Sequence, residues 1–246
     1  MMTSPTLPPK PDSTPPLPVE AVLLDVDGTL VNSNEAHAKA WQEALACFGC
    51  EVSLEQLRQQ MGKGGDELMP VFLAEEQLRQ SGTEIEERCA AIFNEKYRDE
   101  LRAFPGTREF VQRLLRDGRR VMLASSAGGD ELAHYKKLAQ IDDLVSDSAS
   151  RDDVERSKPH PDIFEAALEQ LEGIPHPHVL VIGDSPYDAQ AARRAGVRAL
   201  GVLSGGFGED ELLTAGCEAV YRDVADLLAR YQESPLGCPA GAPLGH

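Results

Sequence analysis

Two aspartates one residue apart, Asp25 and Asp27, close the apolar run that begins at Ala21 and are followed at once by Gly28-Thr29. Groups fit for ionic chemistry recur at similar junctions far downstream. Arg120-Val-Met-Leu-Ala-Ser125 runs into Ser126, Lys158 stands before Pro159, and Val179-Leu-Val-Ile182 runs into Gly183-Asp184, with Asp188 one helical turn beyond. Taken alone, the aspartate pair reads equally well as two solvated carboxylates at a strand end. Taken together, the groups meet if the strands before them lie parallel, because the carboxyl ends of parallel strands open on a common crevice. Four carboxylates there repel one another, by about 4 kcal/mol per adjacent pair at roughly 4 Å and an effective dielectric of about 20. Such a site needs cations. Oxygen-only ligands suit a hard octahedral ion such as Mg²⁺, with a substrate phosphate completing its shell. Lys158 supplies a further point charge, and the Ser125 hydroxyl with nearby backbone N–H groups can hold phosphoryl oxygens. Ser125 is preferred for that role; Ser126 is a second phosphate or loop contact.

The elements that must position these groups are short. Ala21–Val26, Arg120–Ser125, Val179–Ile182 and Ala199–Leu203 read as buried strands, being near-continuous apolar runs that end in turn signals. Helical patterns cover Thr107–Asp117 closing at Gly118, Asp130–Gln140, Pro161–Leu171, Tyr187–Ala195 closing at Gly196, and Val224–Tyr231. The alternation predicts an α/β fold, a Rossmann-like parallel sheet core with helices on both faces. Between 34 and 103 the alternation stops. Asn32 with Glu35, Ser53 with Gln56 and Thr83 with Glu86 have the spacing of capping boxes, and Asp66 can cap a further helix. This segment is expected to form an inserted α-helical cap domain over the carboxyl edge of the sheet, leaving 19–33 and 104–232 as the core. The Pro-rich start, 1–18, and the Pro- and Gly-rich end, 233–246, are expected to be disordered tails.

Asp25-Val-Asp-Gly-Thr-Leu30, Ser125, Lys158-Pro159 and Gly183-Asp184-Ser-Pro-Tyr-Asp188 resemble, in order, the four motifs of the haloacid dehalogenase-like phosphatases, and the resemblance runs from Val19 to about Tyr231. It implies a Mg²⁺-dependent enzyme that hydrolyses a small phosphorylated metabolite through an aspartyl-phosphate. Under it, Asp25 attacks phosphorus, while Asp27 protonates the leaving oxygen and later activates water. Ser125 and Lys158 bind the transferring group. Asp25, the Asp27 backbone carbonyl and Asp184 hold the metal, and Asp188 supports it or orients Lys158. Asp27 argues against two other chemistries of the superfamily: haloacid dehalogenases need no carboxylate there, and phosphonate hydrolases have a small residue.

The insertion resembles the caps of phosphoglycolate phosphatases and β-phosphoglucomutases, whose loops choose the substrate. Lys63, in the loop Met61-Gly-Lys-Gly-Gly65, either meets a distal anionic group or is a solvated loop lysine. His37 begins a stripe with Trp41, Ala44 and Phe48 at helical spacing, which favours a packed histidine over a catalytic one. The mutases are similar in placing a histidine there, so a sugar-phosphate mutase is the alternative. Their caps usually carry an arginine beyond the loop, where this chain has Gly64, Gly65 and Asp66, and that weakens it. A phospho-accepting signalling module is a further alternative from a different class; the Asp25/Asp27 pair, the Asp184/Asp188 pair and the insertion all fit it poorly.

Composition narrows the partners. The formal net charge is −17 over 246 residues, so the basic patches that bind nucleic acid are not expected. No apolar run approaches the roughly 20 residues of a membrane span. Five scattered cysteines, Cys47, Cys50, Cys89, Cys217 and Cys238, suit a reducing compartment, and Cys47-x-x-Cys50 lacks the second pair a metal site would need. A soluble cytoplasmic protein is expected.

Overall fold

The computed structural model describes residues 17–238. The elements, in chain order, are β1 (Ala21–Leu24), α1 (Asn34–Cys47), α2 (Leu54–Arg58), α3 (Gly65–Leu68), α4 (Glu75–Lys96), α5 (Thr107–Arg116), β2 (Arg120–Ala124), α6 (Gly129–Leu138), β3 (Ser148–Ala149), α7 (Asp162–Glu169), β4 (Val179–Gly183), α8 (Pro186–Ala195), β5 (Arg198–Val202), α9 (Glu209–Ala215), β6 (Val220–Tyr221) and α10 (Val224–Ala229). Six parallel strands form one sheet in the order β3-β2-β1-β4-β5-β6. The predicted α/β architecture is therefore present.

Every residue of β1 and β4 is buried, which explains why both read as unbroken apolar runs. Alternate side chains serve opposite faces. Val22 and Leu24 pack in a cluster with Phe110 and Leu227, while Ala21 and Leu23 pack with Phe164 and Ala192. Leu24 pairs with Leu123 on one side and Ile182 on the other. That register brings Asp25, Ser125 and Asp184 to one edge, at the switch point between β1 and β4 where ligands of such sheets bind.

Helices α1 to α4 fall between β1 and α5, and the two connections that lead out and back run side by side. Val31 bridges to Ala103, Asn32 N–H donates to the Arg102 carbonyl at 2.9 Å, and Phe104 N–H donates to the Leu30 carbonyl at 2.9 Å. The Ser53/Gln56 capping box forms as predicted. Three other caps differ. Ser33, not Asn32, precedes α1, and its hydroxyl donates to Asp27 instead of accepting from the helix. Thr83 starts nothing: α4 runs through it for 22 residues, because Ile85, Cys89, Ile92 and Phe93 continue a buried stripe. Asp66 lies inside α3 and accepts instead from Ser157.

The C-terminal expectation also needs correction. From 233 the chain does not leave the surface: Pro235–Gly237 makes a 3₁₀ turn and Leu236 is buried. The buried Arg119 donates to the Leu236 and Cys238 carbonyls, each at 2.6 Å, and to the Tyr231 hydroxyl at 2.6 Å. Pro18 is buried as well. The rest of both expected tails, 1–16 and 239–246, lies outside the described residues. No helix among the described residues is long and apolar enough to cross a membrane. All five cysteines are free thiols.

Candidate active site

Asp25 follows the last paired residue of β1, and its N–H donates to the Ile182 carbonyl at 2.9 Å, so the backbone holds it rigidly over the sheet edge. The turn after it folds back through Gly28, whose φ of +75° is one that glycine adopts without strain. Lys158, buried to 1% exposure, places Nζ 2.5 Å from Asp25 Oδ1 and 2.7 Å from Asp188 Oδ1, and donates to the Ala124 carbonyl at 3.2 Å. Ser185 caps α8 and donates to Asp188 Oδ2 at 2.6 Å, fixing that carboxylate toward the lysine. Thr29 Oγ1 bridges Asp25 and Asp184, at 3.0 and 3.2 Å. Asn34 Nδ2 holds the other Asp184 oxygen at 2.8 Å.

Oxygens of Asp25, Asp184 and Asp188 lie within 4.8 Å of one another, all three residues being buried. One buried ammonium serves three buried carboxylates, so the cluster has a surplus of negative charge. Its effect shows in acidity. Burial, reinforced by the charges of Asp188 and Asp27 and opposed by Lys158, pushes Asp25 up to about 7. Burial and then Asp25 and Asp188 raise Asp184 well above the ordinary carboxylate range. A divalent cation would relieve that excess, and hard oxygen donors are what such a cation takes. The set fits a metal.

Asp27 lives in a different environment. Its carboxylate accepts from Ser33 Oγ at 2.5 Å and from Ser125 Oγ at 3.4 Å, and lies 3.2 Å from His37 Nε2. Burial would raise it, yet the hydrogen bond and charge of His37, with help from Ser33 and Tyr135, hold it below its usual value. His37 in turn is pushed up to about 10: burial opposes protonation, but Asp27 and Glu131 outweigh it. The ring stacks on Phe93, centroids 4.1 Å apart, and touches the buried Tyr135 hydroxyl at 2.9 Å. Tyr135 donates to Glu131 at 2.6 Å. Two neighbouring aspartates are thus tuned apart: His37 holds Asp27 ionised, while Asp25 needs a further cation beside it to stay ionised and attack.

A cavity of about 270 Å³ opens over Asp25 and Asp27, between the sheet edge and the inserted helices. The structure brings Asp25, Asp27, Ser125, Lys158, Asp184 and Asp188 together, as predicted. Ser126 lies at the cavity wall and donates to the Gly62 carbonyl at 3.5 Å, a loop contact. His37, whose spacing favours packing over catalysis, both packs on Phe93 and contacts Asp27. Lys63 reaches the wall, but its ammonium donates to Gln60 at 2.7 Å and sits 4.7 Å above the Tyr187 ring. Thr29, Ser33, Asn34, Glu131 and Tyr135 went unnoticed in the sequence. Thr29 adjoins the Asp25 motif and could have been found there. The others have ordinary helical or turn spacing, and only the packing of separate elements brings them to the site.

The model of the family described as haloacid dehalogenase-like hydrolase matches residues 22–202. A phosphoglycolate phosphatase of Nitrosospira multiformis is 29% identical over 89% of this chain and 98% of its own length. A pyrophosphatase of Bacillus mycoides is 27% identical, over 75% of this chain and 83% of its own. The crystal structure of a hydrolase from Pseudomonas syringae shares 32% identity with a TM-score of 0.78, covering 87% of this chain and 98% of that one. Because the family match takes in both aspartate pairs, Ser125 and Lys158, the chain belongs to the haloacid dehalogenase-like hydrolase family.

Proposed function

We propose that the protein is a Mg²⁺-dependent phosphoric monoester hydrolase acting on a small phosphorylated metabolite, with Asp25 as nucleophile. The observation that carries this reading is the buried Asp25–Lys158–Asp188 cluster beside Asp184, under a cavity of about 270 Å³. A cavity of that size suits a small metabolite. Asp25 attacks phosphorus and the ester oxygen leaves, giving an aspartyl-phosphate. Asp27 passes to the leaving oxygen a proton supplied by the protonated His37, 3.2 Å away; it then takes one from the water that hydrolyses the acyl phosphate and returns it to His37. The Ser125 hydroxyl and Lys158 ammonium hold the phosphoryl oxygens. Asp25, Asp184 and the Asp27 backbone carbonyl would hold Mg²⁺, with Asp188 orienting Lys158. The ion would supply charge neutralisation at the phosphoryl group. The segment 34–103 acts as a cap on the paired connections at Val31 and Ala103, excluding bulk water from the crevice.

Phosphate release from a panel of phosphorylated metabolites tests the reading. With Mg²⁺ release is expected. EDTA or Asp25→Asn should lower it by about a thousandfold or more, since either removes groups the reaction cannot replace. Wild-type turnover in Asp25→Asn would overturn the proposal. Isomerisation of a sugar phosphate without phosphate release would select the mutase reading, and an aspartyl-phosphate lasting minutes the signalling reading.

A further inference from the structure

Helix α1 opens on two polar side chains, and both serve the sheet edge instead of the helix. Ser33 stands in the capping position, yet it makes no hydrogen bond to the helix and donates to Asp27 Oδ1 at 2.5 Å. Asn34, the first residue of α1, reaches a different carboxylate. Its Nδ2 donates to Asp184 Oδ2 at 2.8 Å and to the Gly205 carbonyl at 3.2 Å, so both protons of the amide nitrogen are used. The Gly205 carbonyl can only accept, which fixes the amide with its nitrogen toward the core. A helix that forgoes its side-chain cap gives up stability, and such breaches of local rules gather where function requires them.

Asp184 needs such a donor. One of its oxygens lies within 4.8 Å of oxygens of both Asp25 and Asp188, and like charges at that range push the carboxylate outward. The torsion that turns a carboxylate is soft, so only its hydrogen bonds hold it in one plane. Among the described residues the Asp184 side chain accepts from two donors, Thr29 and Asn34. Thr29 has a single hydroxyl proton, and it divides that proton between Asp25 at 3.0 Å and Asp184 Oδ1 at 3.2 Å. Asn34 alone gives Asp184 an undivided bond, and it does so from the inserted segment, whereas Asp184 belongs to the sheet.

We infer that Asn34 is a positioning residue for Asp184, so that the inserted helix α1 sets how tightly the sheet edge holds its divalent cation. The inference rests on the metal-dependent reading above. Because Asn34 also lies at the cavity wall, a contact with substrate is the competing role. Calorimetric titration with MgCl₂ alone, without substrate, separates the two. It is applied to the wild-type chain, to Asn34→Ala and to Asn34→Leu, which keeps the side-chain volume without its donors. Both replacements favour a helix, so the fold is retained. Kd for Mg²⁺ should rise by about tenfold or more in each variant, the usual effect of removing a hydrogen bond from a metal-ligating side chain. At saturating Mg²⁺, kcat and KM for phosphate release should stay within about threefold of wild type, since Asn34 acts through Asp184 and not on the substrate. A role confined to helix stability would lower Tm in EDTA and leave Mg²⁺ affinity alone. Kd within about twofold of wild type in both variants, or a loss confined to KM, overturns the inference while leaving the phosphatase reading intact. Wild-type protein that neither binds Mg²⁺ nor releases phosphate sinks both.

Discussion

Asp184 owes its place to two residues that carry no functional group. A Cβ on Gly205 would fall 1.6 Å from Asp184 Oδ2, and one on Gly28 would fall 2.4 Å from the same oxygen and from Asn34 Nδ2. Both loops approach the carboxylate on bare backbone, and the Ser204 hydroxyl ties them together by donating to the Gly28 carbonyl at 2.6 Å. Gly28 has a second reason to be glycine in its positive φ; Gly205 has only the close approach. Gly205→Ala is therefore the cleaner probe. It should swing Asp184 away from Asp25 and raise the Mg²⁺ concentration needed for half-maximal turnover by about tenfold or more, equivalent to about 1.4 kcal/mol. Titration of activity with Mg²⁺ reads this directly, and an unshifted midpoint would show that Asp184 does not help to hold the ion.

Besides α1, one short stretch of the insertion, 59–67, touches the core. Tyr187 of α8 donates to the Gln59 carbonyl at 2.6 Å, Ser126 reaches the Gly62 carbonyl, and His160 lies 3.2 Å from Glu67. At the centre, Asp66 of α3 accepts from the Ser157 backbone N–H at 2.9 Å and also from the Ser157 hydroxyl. Ser157 immediately precedes Lys158, so this contact ties the insertion to the loop that carries the site's ammonium. Removing the acceptor in Asp66→Ala forfeits hydrogen bonds to a charged group, worth about 1.5–3 kcal/mol each. The expected result is KM raised by about tenfold or more, with faster backbone hydrogen exchange across 59–67. Asp66→Asn, which keeps one acceptor oxygen, should recover part of the loss. Equal KM in all three proteins would mean that the contact is incidental.

For the whole molecule, the buried charges set a pH dependence opposite to that of ordinary salt-bridged acids. Asp25, raised from 3.8 to about 7 chiefly by burial, binds a proton more tightly folded than unfolded, so its contribution to stability falls as pH rises between those values. His37, raised from 6.5 to about 10 against burial by Asp27 and Glu131, contributes fully below the lower value and loses that contribution toward the upper. Both slopes have one sign. In EDTA, Tm should fall by about 5 °C or more between pH 5 and pH 8.5, and Mg²⁺ should raise it more at pH 8.5 than at pH 5. Calorimetry showing a higher Tm at pH 8.5 without metal would contradict the buried cluster. Much of this molecule was legible in the chain itself. Unbroken apolar runs such as Ala21–Leu24 and Val179–Gly183, ended by turn signals, read as strands buried on both faces whose polar ends share an edge, which is why Asp25 and Asp184 could be grouped across more than half the chain; Lys158 follows no such run and joined them through the order of the motifs. The two-residue strands β3 and β6 and the helix α9 escaped, being too short to show a period. Tertiary structure alone decided that Asp66 serves Ser157, that Arg119 anchors residues up to Cys238, and that His37 both packs and meets Asp27. In each case the deciding partner lies on another element, and local spacing, which records only what neighbours along the chain can do, holds no trace of it.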